Sequence, residues 1–202
     1  MRMRFNSFLL RGFPAGLLVV LLWLAGPVLA QESETTKEAE EATFNEEEIY
    51  QAAKGFFGET TEGLAKVIER VFADQGRPNA YIAGEEVSGA IGLGVRYGNG
   101  DIHFKSGIGG QKVYWQGPSI GFDLGGNASK VFVLVYNLNL LDDLFQRFPA
   151  GEGAIYVIAG LGVNYHRSGN IVLAPIRTGV GLRLGVNVGY MHYTREHSWV
   201  PL

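Results

Sequence analysis

Three arginines are the residues of this chain whose type and spacing best suit binding chemistry. Arg177 and Arg183 fall on the glycine-rich face of one predicted strand, and Arg96 falls on the matching face of another. A guanidinium group can hold an oxyanion through two parallel hydrogen bonds, and glycine neighbours leave a ligand unscreened by side chains. These residues therefore predict an anion-binding surface. The competing interpretation is that strand arginines only keep an outer face soluble.

A second candidate site is the aromatic cluster of Tyr114, Trp115 and Phe122. Aromatic rings combine a large apolar body with a polar edge, so this cluster could bind a sugar or a lipid. Aromatic residues on alternating strands also commonly fill a core. The sequence leaves both interpretations open.

The sequence does not predict a catalytic or metal site. Its four histidines are not spaced as zinc ligands, and the absence of cysteine excludes disulfides, thiolate nucleophiles and Cys-ligated metals. The adjacent acid pairs, Glu85 with Glu86 and Asp142 with Asp143, point in different directions on a strand or a helix, so they do not form a paired-carboxylate site. We therefore predict a protein that is not an enzyme and that binds no metal and no cofactor.

The first thirty residues have the order of a secretory signal peptide. Three arginines lie within the first eleven positions, an apolar run follows from Ala15 to Ala25, and a small-residue pattern ends at Ala30. The apolar run is shorter than the roughly 20 residues that a membrane-spanning helix needs. We predict export to the periplasm with cleavage after Ala30, and an uncleaved membrane anchor is the alternative.

Charge separates a spacer from a folded domain. Removal of the signal peptide deletes three of the 17 basic residues and none of the 20 acidic ones, which leaves 14 against 20 and a net charge of −6. Such a balance argues against a nucleic-acid partner. Residues 31 to 43 are acidic and almost free of apolar side chains, so we predict a disordered spacer there. Residues 44 to 202 then form one domain.

Helical periodicity comes before strand periodicity along this domain. Apolar residues recur at helical spacing from Ile49 to Phe57 and again from Leu64 to Phe72, and Asn45 with Glu48 fits a capping box. From Tyr81 onward the period is two, and Gly98 to Gly100 has the composition of a hairpin turn. A short helix from Leu141 to Phe148 is predicted to interrupt the strands.

The longest predicted strand, Ile176 to Tyr193, alternates between large apolar residues and a row of glycines with Arg177 and Arg183. Because glycine weakens a strand, its repetition on one face suits strands that coil tightly or approach another backbone closely. We expect the apolar row to fill a barrel and the glycine and arginine row to face outward or to lie under a helix. The predicted fold is mainly β: a small soluble antiparallel β-barrel with amphipathic N-terminal helices and one short inserted helix.

Several long segments of the sequence resemble one known family. They are Gly55 to Gly58, Thr60 to Glu69, Gly76 to Ile82, Lys112 to Ser119, Val135 to Leu138 and Ala174 to Gly181. They resemble the envelope integrity protein A family of α-proteobacteria, and the match covers about residues 45 to 202. A more distant resemblance is to SYLF lipid-binding domains, which have a Tyr-Gly-x-Gly turn similar to Tyr97 to Gly100.

The first resemblance implies a periplasmic protein that cell-envelope integrity requires, with a small β-barrel, no known enzymatic activity and no known cofactor. The second implies recognition of lipid or of a membrane surface. We therefore expect the partner to be an envelope lipid, a glycan or a periplasmic protein. An integral outer-membrane β-barrel and a hydrolase of envelope polymers are the alternative functions.

Overall fold

The computed structural model describes residues 37, 40–58, 63–123, 128–150, 156–178 and 189–198, with the backbone alone at 89–93, 119–123 and 156. The predicted signal peptide and most of the predicted spacer lie outside these residues. The last part of the spacer, residues 40 to 43, is in contact with the domain, because Arg77 donates hydrogen bonds to the carbonyl oxygens of Glu40 and Thr43 at 3.0 and 3.1 Å.

Two amphipathic helices precede the strands, as predicted. Helix α1 spans Glu46–Phe57, and its first turn is held by a capping box in which Asn45 and Glu48 each accept a hydrogen bond from the other's backbone N–H. Helix α2 spans Leu64–Gln75. No helix among the described residues is long and apolar enough to cross a membrane.

The described strands form a single antiparallel sheet. They are β1 (Ala80–Phe104), β2 (Gly109–Asp123), β3 (Ala128–Tyr136), β4 (Arg147–Pro149), β5 (Tyr156–Ile158), β6 (Leu161–Val163), β7 (His166–Ser168), β8 (Ile171–Arg177) and β9 (Tyr190–Thr194). Their order in the sheet is β4-β9-β2-β1-β3-β8-β6-β5, and β7 pairs with β8. The predicted fold class, mainly antiparallel β with two N-terminal helices and a short inserted helix, is confirmed.

Strand β1 folds back on itself. Its first part pairs with β3 and its second part with β2, and the backbone of Lys105, just after the strand, donates a 3.0 Å hydrogen bond to Asn79, just before it. Where the two halves face each other, a Cβ on Gly84 would lie only 2.7 Å from the Cα of Gly100. Glycine at these two positions therefore lets the halves approach backbone to backbone.

Two local predictions are wrong, both because tertiary packing overrides a local signal. Gly98 to Gly100 lies within β1, and the turn to β2 comes later, closed by a 2.8 Å hydrogen bond from the Phe104 N–H to the Ile108 carbonyl. The predicted helix from Leu141 to Phe148 is a 3₁₀ helix over Leu141–Leu144 followed by strand β4, because Phe148 is buried in the barrel core.

The core has two layers that share the strands β3 and β8. Val131, Val133 and Val135 of β3 face the interior of the curled sheet, while Phe132 and Leu134 face α1 and α2. Strand β8 alternates in the same way, so both strands are buried on both faces and their sequences are almost continuously apolar. The helices therefore cover one side of the barrel-like sheet, and the sheet formed by β4, β9, β2 and the second half of β1 has its own outer face.

Candidate functional site

Two arginines from the predicted anion-binding surface meet at one buried carboxylate. Glu86, on the first half of β1, is 5% exposed. Arg177, at the end of β8, donates from Nε to Glu86 Oε1 at 3.0 Å and from Nη2 to Oε2 at 3.4 Å. Arg96, on the second half of β1, places its Nε 3.1 Å from the same Oε1 in an ion-pair contact. The carboxylate thus ties together both halves of β1 and the end of β8.

The prediction that the glycine and arginine row faces outward or lies under a helix is wrong for both of these arginines, which meet Glu86 inside the curled sheet. Arg96 is 7% exposed and Arg177 is 9% exposed. The inner row of β1 runs through Ala80, Ile82, Gly84 and Glu86. Where Gly84 faces Gly100, the two halves of the strand lie too close together for a larger side chain. The small residues therefore face inward, and the oxyanion that the arginines hold belongs to the chain itself.

Trp115 completes the contacts of Glu86. Its indole Nε1 donates a 2.9 Å hydrogen bond to Oε2, and the side chain is only 2% exposed. The ring lies against Gly98, its cross-strand neighbour on β1, where any Cβ would overlap the indole. This position favours the core interpretation of Trp115 over a ligand contact.

The network continues from Arg177 to a buried histidine. Arg177 Nη1 donates to Asn164 Oδ1 at 2.6 Å, and Asn164 Nδ2 lies 2.7 Å from His166 Nε2. Because the Asn164 amide oxygen faces Arg177, its NH₂ group faces His166, and Nε2 must be the acceptor. The imidazole proton is therefore on Nδ1, which lies 3.3 Å from the Phe148 carbonyl oxygen.

The charges of this cluster are fixed by burial and by its internal partners. Burial alone would raise the pKa of Glu86, but the charges of Arg177 and Arg96, with the hydrogen bonds from Arg177 and Trp115, lower it. Burial lowers the pKa of Arg96 to about 10, so this guanidinium is still protonated at neutral pH. Burial, with the nearby charge of Arg177, lowers the pKa of His166 to about 3. The cluster thus holds one carboxylate, two guanidinium groups and a neutral imidazole.

The remaining predicted site residues lie elsewhere. Tyr114 is half-buried on the outer face of β2. Phe122 belongs to β2, within the part described by its backbone alone, and Arg183 lies outside the described residues. The sequence analysis missed Glu86, Asn164 and His166 as members of the cluster. One signal was available for Glu86, because it shares the alternation row of Arg96 on the same strand.

The outer face next to this cluster carries rings and polar groups. We define the outer aromatic face by Tyr97, Tyr114, Gln116, His192 and His197. The His197 ring stacks on Tyr97 with centroids 6.5 Å apart and meets Tyr114 edge-on at 5.8 Å. Gln116 pairs with Tyr97 across β1 and with His192 across β9. Such a surface can stack on a ligand and form hydrogen bonds with it.

Comparisons with known proteins identify one family and one similar fold. The family model described as "Envelope integrity protein A" (EipA) matches residues 42–202. Among solved structures, the chain is similar to a β-barrel-like, uncharacterised protein from Brucella abortus. Sequence identity is 45%, the match covers 80% of this chain and 99% of that chain, and the TM-score is 0.72. The comparison with curated proteins finds no match.

Proposed function

We propose that this chain, which belongs to the envelope integrity protein A family, supports the integrity of the cell envelope. In this proposal it is a non-enzymatic periplasmic protein that binds an envelope component. The candidate components are a glycan, a lipid or a periplasmic protein. The charged N-terminus and apolar run of residues 1 to 30 support export, since they have the order of a cleavable signal peptide.

One structural observation carries the non-enzymatic part of the proposal. The buried carboxylate and the buried histidine of the described barrel are engaged by other residues of the chain: Glu86 binds Arg177, Arg96 and Trp115, and both ring nitrogens of His166 have partners. A general acid or base has to reach a substrate and exchange a proton with it. Glu86 and His166 do neither, because they are 5% and 1% exposed and fixed in one charge state. The cluster therefore acts as an internal brace.

The candidate surfaces for binding an envelope component lie on the outside of the barrel. Among the described residues, the side chains that face the interior of the curled sheet pack into one buried cluster, which includes Ile82, Trp115, Val133, Phe148 and Tyr193. A ligand would therefore meet the helices or the outer aromatic face. Rigid elements position binding groups more accurately than loops do, and the outer aromatic face lies mainly on paired strands.

The test is a deletion strain complemented with two forms of the gene. The full chain is expected to restore resistance to the detergent deoxycholate and to a cell-wall antibiotic, and to be recovered in the periplasmic fraction. The matched control is a form that begins with Met followed by residue 31, which is expected to remain in the cytoplasm and to give no protection. Full protection by that form would overturn the periplasmic role. Unchanged resistance of the deletion strain would overturn the envelope function.

A further inference from the structure

We infer that the outer aromatic face is a glycan-binding site in which Tyr97 and Tyr114 stack on sugar rings and Gln116 binds their hydroxyl or amide groups. We infer further that residues 195–198, which we name the C-terminal strap, cover this site when it is empty. The inference deepens the proposed function, on which it rests, by naming the ligand class and its place on the barrel.

The strand register places the binding groups side by side. Tyr97 of β1 lies directly opposite Gln116 of β2, and Gln116 lies opposite His192 of β9. Tyr114 is two residues before Gln116, so both side chains project from the same face of the sheet. Side chains of directly paired residues on one face are in contact distance. Both tyrosines are therefore neighbours of Gln116 on this face, Tyr97 across the strand pair and Tyr114 along β2.

Gln116 is the polar group that this face leaves unsatisfied. The residue is 3% exposed, and among the described residues its Oε1 makes no hydrogen bond. His192 Nδ1, on the neighbouring strand, is also a buried atom that makes no hydrogen bond among the described residues. Buried polar atoms are nearly always hydrogen-bonded in native proteins, because an unmade bond leaves the cost of desolvation uncompensated. A ligand that displaces the C-terminal strap would donate a hydrogen bond from a hydroxyl or amide group to Gln116 Oε1.

The C-terminal strap presents a ring where a sugar ring would lie. His197 stacks on Tyr97 at an interplanar angle of 14° and meets Tyr114 edge-on at 77°. The strap is also held by Arg195, which pairs with Asp142 and lies 4.3 Å from the centroid of the Phe145 ring. The Arg195 and Asp142 side chains are 56% and 75% exposed, so this ion pair contributes little.

The composition of the outer aromatic face favours a glycan over a lipid bilayer. The five residues that define this face include no large aliphatic side chain. A membrane-inserting surface would need such side chains, or a cluster of unpaired basic residues. Tyrosine, glutamine and histidine instead combine flat rings with hydrogen-bonding groups, which suits a ligand with one apolar face and many hydroxyl groups.

The test measures binding of the mature chain, residues 31 to 202, to defined glycans. The probes are an N-acetylglucosamine tetramer, muramidase-released peptidoglycan fragments and the polysaccharide released from lipopolysaccharide by mild acid, each titrated calorimetrically. Tyr97→Ala and Tyr114→Ala are expected to weaken binding about tenfold each. The control is Tyr50→Ala, on α1, which is expected to leave affinity unchanged. His197→Ala is expected to tighten binding a few-fold, because a cover that competes with the ligand lowers its apparent affinity.

Saturation-transfer NMR on the unaltered protein keeps the test independent of how the variants fold. Transfer from tyrosine ring protons to sugar protons is expected, and the responding probe distinguishes a peptidoglycan source from a lipopolysaccharide source. Equal glycan binding by the parent, the Tyr97 variant and the Tyr114 variant would overturn the inference. Binding to phospholipid vesicles without binding to any glycan would do the same. If no glycan binds while the deletion strain is still sensitive, this inference fails and the proposed function stands.

Discussion

Glu86 and Arg96 are ten residues apart on one strand, yet Glu86 Oε1 and Arg96 Nε lie 3.1 Å apart inside the barrel. A straight strand would separate them by about 33 Å, since each residue advances the chain by about 3.3 Å. The contact is possible because β1 folds back between them and brings its inner face against itself. The glycines and the buried charges therefore act together: the glycines let the two halves of β1 approach each other, and the ion pairs join the two halves.

Replacement of Glu86 by Gln should destabilise the domain strongly. The variant keeps the shape of the side chain but leaves two buried guanidinium groups without their carboxylate, which costs about 3 to 5 kcal/mol for a buried pair. Urea unfolding followed by circular dichroism measures this change. The matched control is Glu85→Gln, because Glu85 is exposed on the same strand and its replacement should change stability by less than about 0.5 kcal/mol. Equal stability of both variants would show that Glu86 does not brace the barrel.

Replacement of glycine by alanine should destabilise the domain at one position and stabilise it at another. Gly84→Ala should destabilise the domain, because its Cβ would lie 2.7 Å from the Cα of Gly100 and 2.8 Å from the Trp115 ring. Gly55→Ala should stabilise α1 by about 0.5 to 1 kcal/mol, since that position has open space and glycine is a poor helix former. Thermal melting of both variants tests the prediction. A stable Gly84→Ala variant would contradict the close approach of the two halves of β1.

Local features of this fold could be predicted from the sequence, whereas the side of each strand that faces the interior could not. Asn45 and Glu48 identify the start of α1 because a capping box involves only neighbours along the chain. Alternation identified β1, but alternation alone does not say which row of a strand faces the interior. In β1 the inner row contains Gly84 and Gly100, where the two halves of the strand approach each other, and no local pattern reports this contact. For the same reason Gly98 to Gly100 indicated a turn, although glycine is needed there to make room for Trp115 and Gly84.

The charge cluster was only partly predictable for a similar reason. Arg96 and Arg177 were singled out because arginine is rare among glycines on a strand face. Their partner Glu86 is 91 positions away from Arg177, and the distance along one sequence gives no sign of that contact. Asn164 and His166 lie on and beside short strands without strong alternation, so their inclusion depends on tertiary structure alone.

The stability of the domain should fall as the pH drops below the ordinary pKa of histidine. His166 has its pKa lowered to about 3 by burial, so between pH 6.5 and pH 3 the unfolded chain binds a proton that the folded chain does not. Stability is then lost by up to about 1.4 kcal/mol per pH unit as the pH falls. Glu86, whose pKa is also lowered, adds a loss below about pH 4.5, when its carboxylate becomes protonated in the unfolded state first.

The variant His166→Gln tests the histidine part of this pH dependence. It should show a shallower slope of unfolding free energy against pH between 6 and 4.5, whatever its absolute stability. His192 contributes equally to both proteins, because burial and Arg147 lower its pKa in each. Urea unfolding at four pH values gives the slopes. Parallel slopes for the parent and the variant would mean that folding does not lower the pKa of His166.

Arg177 should not be replaceable by lysine. Its guanidinium binds in two directions at once, with Nε and Nη2 on Glu86 and Nη1 on Asn164, and an ammonium group has no fixed fork with which to do so. Arg177→Lys should therefore cost nearly as much stability as Arg177→Met. The control is Arg167→Lys, since Arg167 is exposed on β7 and makes a single 3.4 Å hydrogen bond to Gln75.

A double-mutant cycle then separates the ion pair from its surroundings. The double variant Glu86→Gln with Arg177→Met removes a carboxylate and a guanidinium together, so it leaves one uncompensated guanidinium where Glu86→Gln alone leaves two. Its loss of unfolding free energy should be smaller than the sum of the two single losses by about 1 to 3 kcal/mol, the range found for residues in contact. Additive losses would contradict a direct coupling between the two side chains, because residues that stabilise the fold independently give a coupling energy near zero.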